Sequence, residues 1–286
     1  MNKILLIAIT ILILGCGDND INYGVYTDDI ATGTVRDYNT TNSSNRVNVL
    51  ITIGQSNSVG VLGDRNITTS NVYVPNENAI DYPSTITFSE VTNNNINRRG
   101  YGGATNIATK YAEMYNDTVP LYIIHIAIGG TGVDFYSNNN LWSFNRADTD
   151  GNSLHPQLIH YMETVITTLQ DEGREPYVIG LDYNQWESEA EDTVYGHYQT
   201  YSTLFDTIET VIPNDDYKLF ICYPTATRWG NTETMQDTFL FIQETRDNVY
   251  IYRPLELGVT NIWFNDGHYN EATYQAMAEY IGERIN

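Results

Sequence analysis

The chain has 286 residues, which is enough for one large α/β domain with a full hydrophobic core or for two small domains. Aspartate and glutamate number 36 against 14 lysines and arginines, and the formal net charge is -22. A surface this acidic repels phosphate backbones and anionic lipid, which argues against a nucleic-acid partner. The two cysteines, Cys16 and Cys222, are too few for a disulfide framework.

The first residues have the pattern of an export signal. Lys3 supplies a positive start, and the almost unbroken apolar run over residues 4–14 is too short to span a bilayer comfortably. The run ends in Ile13-Leu14-Gly15-Cys16, which resembles a bacterial lipobox, where the cysteine is acylated and becomes the new N-terminus. The alternative is an ordinary signal peptide with an incidental cysteine. We expect residues 1–16 to be a lipoprotein signal peptide, with the exported protein anchored to the cell envelope or cell surface through Cys16.

A polar stretch separates this leader from the rest of the chain. Residues 17–46 are rich in Asp, Asn, Thr, Ser and Gly without a lasting apolar period, so we interpret them as a flexible tether. Residues 47–286 contain no repeat and no internal linker, and we predict that they form one domain. No other segment is long and apolar enough to be transmembrane.

Strand-like and helix-like segments alternate through residues 47–286. Short apolar runs that predict strands cover residues 47–53, 121–128, 177–183, 218–223 and 249–252. Helical spacing of apolar residues covers 106–115, 156–170, 198–212, 233–246 and 271–285. This alternation predicts a three-layer α/β/α sandwich with a mainly parallel five-stranded sheet covered on both faces. Such open sheets bind ligands beyond the carboxyl ends of their strands.

Residues suited to catalysis follow the ends of these runs. Ser56 follows the end of the first run and is flanked by small residues. A serine between a strand and a helix can expose its Oγ at the sheet edge, with its N–H at a helix N-terminus that stabilises an oxyanion. The alternative is a helix cap. Gln185 follows the third strand, and polar groups there need partners. Near the C-terminus, His268 can accept the serine proton and Asp266 can orient its imidazole.

Four segments in order resemble the conserved blocks of SGNH hydrolases, in their sialate O-acetylesterase-like and acetylxylan-esterase-like branch. The first is Gly54-Gln55-Ser56-Asn57-Ser58-Val59-Gly60, similar to the GQSN form of that branch. Gly129-Gly130-Thr131 and Gln185-Trp186-Glu187-Ser188-Glu189-Ala190 are similar to its GGT-S and QGE-S-D-A blocks. Asp266-Gly267-His268 resembles the closing Asp–His block.

The resemblance implies a flavodoxin-like fold and hydrolysis of acyl esters without a metal or other cofactor. Ser56 would be the nucleophile, His268 the general base and Asp266 its orienting acid. The oxyanion hole would combine the Ser56 N–H, the side-chain amide of Gln185 and a glycine N–H. Spacing best matches Gly102 to that glycine, with Gly100 and Gly103 as competing positions.

Three departures from the family pattern stand out. Trp186 replaces a glycine, so that either the backbone differs there or the ring lines the pocket. Ala104 stands where the branch often has glutamate. Asp266 lies two residues before His268, whereas the family places its aspartate three before, at Asn265 in this chain.

The leading hypothesis is a serine esterase that removes O-acetyl groups from an acylated carbohydrate. One alternative keeps the mechanism but changes the acyl group, giving a lipase-like or thioesterase-like hydrolase. Another is a catalytically inactive surface lipoprotein that binds glycans.

Overall fold

The structure is a computed structural model that describes nine strands and five α-helices. The strands are β1 (Arg46–Gly54), β2 (Val72–Pro75), β3 (Phe88–Glu90), β4 (Leu121–Ala127), β5 (Glu175–Asn184), β6 (Lys218–Cys222), β7 (Val249–Tyr252), β8 (Trp263–Asn265) and β9 (His268–Tyr269). The helices are α1 (Gly102–Tyr115), α2 (Leu154–Asp171), α3 (Val194–Glu209), α4 (Thr232–Thr245) and α5 (Glu271–Gly282). The described residues are 45–54, 71–77, 79–81, 83–91, 102–115, 119–127, 132–133, 154–186, 189, 192–225, 232–259, 263–265 and 268–285.

Seven of these strands form one sheet in the order β3-β2-β4-β1-β5-β6-β7. All neighbouring strands are parallel except β3, which runs antiparallel to β2 at the edge. The five strands that the sequence predicts form a continuous parallel core. Numbered along the chain, this core has the order 2-1-3-4-5, which is that of flavodoxin-like folds.

Helices cover both faces of the sheet and bury its apolar side chains in two clusters. On one face, α2, α3 and α4 pack against β1 and β5 through residues such as Val165, Leu204 and Phe239. On the other face, α1 and α5 pack against the sheet through residues such as Ile107 and Ile281. The three-layer α/β/α arrangement is therefore confirmed, because strands buried on both faces require a helical layer on each side.

The sheet has seven strands rather than the predicted five. The additional strands β2 and β3 are only four and three residues long and carry no extended apolar run. Strand β2 pairs with the beginning of β4, with Val72 opposite Leu121 and Tyr73 opposite Tyr122. Tyr73 also stacks on Tyr122, with ring centroids 5.0 Å apart. These contacts with β4 hold β2 at the edge of the sheet. Because they join residues far apart in the chain, local periodicity does not predict β2 and β3.

Two helices begin about one turn earlier than the apolar spacing predicts. Helix α1 begins at Gly102 instead of residue 106, and α3 begins at Val194 instead of residue 198. Thr193 caps α3, because its side chain accepts a hydrogen bond from the Gly196 N–H at 3.0 Å. The first three residues of α3 are not buried, and the fourth, the buried His197, is polar, so the apolar period begins only after the first turn. None of the described helices is long and apolar enough to cross a membrane.

Candidate active site

The order of the strands creates a ligand-binding position at the carboxyl end of β1. Gly54, the last residue of β1, pairs with Ala127 of β4 on one side and with Asn184 of β5 on the other. The strand before α2, β4, lies on one side of β1, and the strand after α2, β5, lies on the other side. The carboxyl end of β1 is therefore a topological switch point. Ligands of open α/β sheets bind in the crevice at such points. Ser56 follows Gly54 by two residues, and Gln185 follows Asn184 directly.

Gln185 lies at this edge with its side chain completely buried. The adjacent Trp186 is also completely buried, within the core cluster under α2, α3 and α4. Tryptophan at position 186 in place of the family glycine left two interpretations, a different backbone or a ring that lines the pocket. The complete burial of Trp186 excludes a ring that lines an open pocket. Asn184 is buried as well, and its Oδ1 has no hydrogen-bond partner within the part of the chain that the structure describes. The end of β5 therefore brings buried amide groups to the carboxyl edge of the sheet.

Gly102 is the first residue of α1, so its N–H has no carbonyl acceptor within the helix. Helix α1 leads into β4, which starts at the opposite edge of the sheet, so the N-terminus of α1 lies at the carboxyl edge. The positive end of the helix dipole also favours negative charge at this position. A backbone donor at Gly102 is chemically suited to an oxyanion.

The first turn of α1 also lies beside the start of α5. The Asn106 Nδ2 donates a hydrogen bond to Glu271 Oε1 at 3.1 Å, and Lys110 Nζ lies 3.5 Å from Glu279 Oε1 further along the same pair of helices. The two helices consequently run side by side in the same direction. Because His268 precedes α5 by three residues, the N-termini of α1 and α5 place Gly102 and His268 at the same edge.

His268 belongs to a short hairpin in which β8 and β9 are antiparallel and Asn265 is paired with His268. The side chain of His268 is partly exposed. The next residue, Tyr269, is completely buried, and its hydroxyl lies 3.5 Å from Cys222 Sγ and 3.4 Å from Thr225 Oγ1, at the end of β6. Tyr269 thereby attaches β9 to the carboxyl edge of the sheet. Cys222 is buried in the core, as expected of a lone cysteine in an apolar strand.

Ser56, Asp266 and Cys16 lie outside the described residues, as do Gly100 and the Gly129-Gly130-Thr131 segment.

One buried acid that no sequence pattern indicates lies near the carboxyl edge of the sheet. Asp182 of β5 is buried on the face covered by α1 and α5, and its Oδ1 accepts a hydrogen bond from the Tyr252 hydroxyl at 2.9 Å. Its neighbour in the sheet is Thr52, whose Oγ1 is hydrogen-bonded to His125 Nδ1 at 2.6 Å. Burial raises the pKa of Asp182 to about 7, with the Tyr252 hydrogen bond acting in the opposite direction.

This pKa predicts that Asp182 contributes less to the stability of the folded protein as the pH rises. Between about pH 4 and pH 7 the folded protein keeps a proton on Asp182 that the unfolded chain releases, so the contribution of Asp182 to the free energy of unfolding falls through this window and levels off above it. Burial lowers the pKa of His155 to about 4, so His155 acts in the opposite direction, and only a comparison with a variant isolates Asp182. Each unit of pKa shift corresponds to about 1.4 kcal/mol. The Asp182→Asn variant lacks the Asp182 titration, so its free energy of unfolding should increase relative to that of the wild type between about pH 5 and about pH 7.

Urea unfolding of both proteins at about pH 5 and about pH 7 measures the difference. Asp216, an acid whose pKa is lowered rather than raised, provides the matched control, because Asp216→Asn should leave the fall from pH 5 to pH 7 intact. Equal pH dependence in the wild type and Asp182→Asn would contradict the assignment.

A second buried acid, Glu189, belongs to the segment that resembles the QGE-S-D-A block, but its contacts could not be predicted from the sequence. Its carboxylate accepts hydrogen bonds from the Val133 N–H and from the Tyr201 hydroxyl. Among the described residues, no group of three or more His, Cys, Asp or Glu side chains could hold a metal ion.

The fold and the position of these residues define a three-layer α/β/α sandwich with a candidate ligand site at its switch point. Solved structures of the same fold include a protein from Arabidopsis thaliana, with a TM-score of 0.59 and 12% identity over 83% of this chain and 97% of that one. NanS has a TM-score of 0.58 and 15% identity over 84% of this chain and 97% of its own. A carbohydrate acetylesterase from Xanthomonas citri has a TM-score of 0.56 and 11% identity, covering 82% of this chain and 54% of that one. No family model and no curated protein matches the sequence.

Proposed function

We propose that the protein is a serine esterase that hydrolyses O-acetyl esters of carbohydrates. The observation that carries this proposal is the location of Gly102, Gln185 and His268 at one edge of the sheet, where the chain also continues from β1 to Ser56. Gln185 and His268 come from segments that resemble SGNH-hydrolase blocks, and spacing best matches Gly102 to the oxyanion-hole glycine of that family. One of the solved structures with this fold is a carbohydrate acetylesterase, which supports the same class of substrate.

In the proposed mechanism, Ser56 Oγ attacks the acetyl carbonyl while His268 accepts the serine proton. Negative charge develops on the carbonyl oxygen and is stabilised by the N–H groups of Ser56 and Gly102 and by the side-chain amide of Gln185. The C–O bond to the sugar then breaks, and His268 returns the proton to the departing sugar oxygen. Water attacks the acetyl-enzyme by the same route, with His268 again as base, and releases acetate and free Ser56.

Asp266 is proposed as the acceptor of the His268 Nδ1 proton, a role that fixes the tautomer and stabilises the imidazolium. This role is separable from that of the Ser–His pair. If another group accepted the Nδ1 proton, Ser56 and His268 would still perform the chemistry as a dyad.

The experiment that tests the proposed function is turnover of p-nitrophenyl acetate, followed by release of acetate from acetylated sugars. A fluorophosphonate should label Ser56, as located by mass spectrometry of the labelled peptide. Comparison of acetyl with longer acyl esters separates an acetylesterase from a lipase-like or thioesterase-like hydrolase. Absence of both turnover and labelling in folded protein would favour the inactive glycan-binding lipoprotein.

We also propose that the protein is exported and held at the membrane by lipid on Cys16. The predicted tether of residues 17–46 is shortened at its end, because Arg46 already belongs to β1 and pairs with Glu175. The leader pattern supports this location. About 30 flexible residues would have an r.m.s. reach of roughly 30 Å, which would keep the esterase domain clear of the membrane surface.

The Cys16→Ser variant should therefore appear in the soluble fraction or remain unprocessed, because serine has no thiol to acylate. Several acyl chains hold a protein stably at a membrane, whereas one chain alone binds marginally. Fractionation with mass spectrometry of the N-terminal peptide measures the change. A soluble wild-type protein whose N-terminus is a residue other than Cys16 would contradict the lipid anchor.

A further inference from the structure

One buried carboxylate joins the two chain segments that leave the sheet on either side of β1. Glu189 Oε1 accepts a hydrogen bond from the Val133 N–H at 2.8 Å, and Oε2 lies 3.0 Å from the same nitrogen. Oε1 also accepts a hydrogen bond from the Tyr201 hydroxyl at 2.9 Å. Val133 belongs to the segment after β4, and Glu189 belongs to the segment after β5.

The partners of Glu189 are themselves held rigidly. Val133 and Tyr201 are completely buried in the core cluster on the face of α2, α3 and α4. The Tyr201 ring packs edge-on against Tyr183 and Phe239, with centroids 5.6 and 5.3 Å away. Burial, together with the charge of Glu189, raises the pKa of Tyr201 well above its ordinary value, so its hydroxyl remains a donor.

The Glu189 N–H also donates a hydrogen bond to the Trp186 carbonyl at 3.3 Å. Trp186 is completely buried, so this hydrogen bond attaches Glu189 to the core directly after Gln185 in the chain. Gln185 is therefore linked through Trp186 to Glu189, and through the Glu189 carboxylate to Val133 after β4.

The chemistry of the carboxylate explains why a single side chain can connect three elements. A carboxylate has about four acceptor sites and no donor, and hydrogen bonds to a charged acceptor are roughly twice as strong as neutral ones. Removing a donor from a buried charge is costly, so the contacts support one another. Because β4 and β5 are the two neighbours of β1 in the sheet, the contact holds together the two segments that flank the carboxyl end of β1.

We propose that Glu189 is a positioning residue of the esterase site, which sets the separation between Val133 after β4 and Gln185 after β5. This inference rests on the proposed function, since it assigns what Glu189 positions. Displacing a catalytic group by about 1 Å can cost about 100-fold in rate. Glu189 thus acts through Gln185 and the flanking segment without contacting substrate.

The Glu189→Gln and Glu189→Ala variants test this role with p-nitrophenyl acetate as substrate. Glutamine keeps the shape but replaces one acceptor oxygen by a donor, so kcat should fall about 10-fold, and for alanine about 100-fold, with KM nearly unchanged. Tyr201→Phe, which removes one donor, should lower kcat less than Glu189→Ala. Hydrogen exchange at the Val133 amide should become faster in Glu189→Ala.

Glu209→Gln provides the matched control. Glu209 also accepts a hydrogen bond from a tyrosine, Tyr217, at 2.5 Å, but at the far end of α3, and this variant should keep the wild-type kcat. The proposal is overturned if kcat is unchanged in folded Glu189→Ala while Val133 exchange increases, or if Val133 stays protected in that variant. If instead the wild type has no turnover, or Ser56→Ala retains it, the proposed function has failed. The exchange at Val133 still reports whether the contact exists.

Discussion

The Ser56→Ala variant is expected to lose esterase turnover by on the order of a million-fold, because Ser56 Oγ forms the covalent bond to the acyl group. Without this nucleophile, only the oxyanion hole and substrate binding remain to accelerate attack by water. The variant should fold, since it lacks only one hydroxyl group. The measurement is kcat/KM for p-nitrophenyl acetate, together with the thermal unfolding midpoint.

Ser58→Ala is the matched control for this prediction, because it makes the same chemical change two residues away in the same segment. We expect it to retain most of the activity and to react with a fluorophosphonate at Ser56. Labelling at another residue, with activity surviving in Ser56→Ala, would contradict the proposed nucleophile.

The Gln185→Ala variant is expected to reduce kcat by about 100- to 1,000-fold, because it removes a donor to the oxyanion that forms in the transition state. KM should change little, since the charge is absent from the ground state. Truncation of a completely buried side chain also lowers stability, so the assay must be made below the unfolding transition of the variant.

The Gln185→Glu variant separates the donor from the volume of the side chain. Glutamate nearly preserves the size of glutamine but presents acceptors where the oxyanion needs a donor, so its kcat should be at least as low as that of Gln185→Ala. An unchanged rate in Gln185→Ala would assign this side chain a structural role and leave the oxyanion to backbone N–H groups.

The strands of the parallel core could be predicted because they are buried on both faces and consist of nearly continuous apolar residues. Residues 47–53 and 177–183 lie inside β1 and β5, and the other three predicted strands agree as closely. Strands β8 and β9 could not be predicted in this way, because they are too short to show any period.

The candidate site could be predicted only in part. Gln185 and His268 could be identified from the sequence, and both lie at the carboxyl edge of the sheet. The roles of Asp182 and Glu189 could not be predicted, because an acidic residue in a sequence is usually exposed. Only burial and the donors Tyr252, Tyr201 and Val133, contributed by other elements, distinguish these two acids from those at the surface.

The sequence by itself determined the alternation of strands and helices and the positions along the chain where polar residues follow apolar runs. These properties depend on local periodicity, which any window of the sequence contains. Only the tertiary structure decided that β4 and β5 lie on opposite sides of β1, that α1 and α5 begin side by side, and that Glu189 joins segments from two strands. Contacts of this kind connect residues far apart in the chain, and their free energy arises from burial and pairing that exist only when the sheet has assembled.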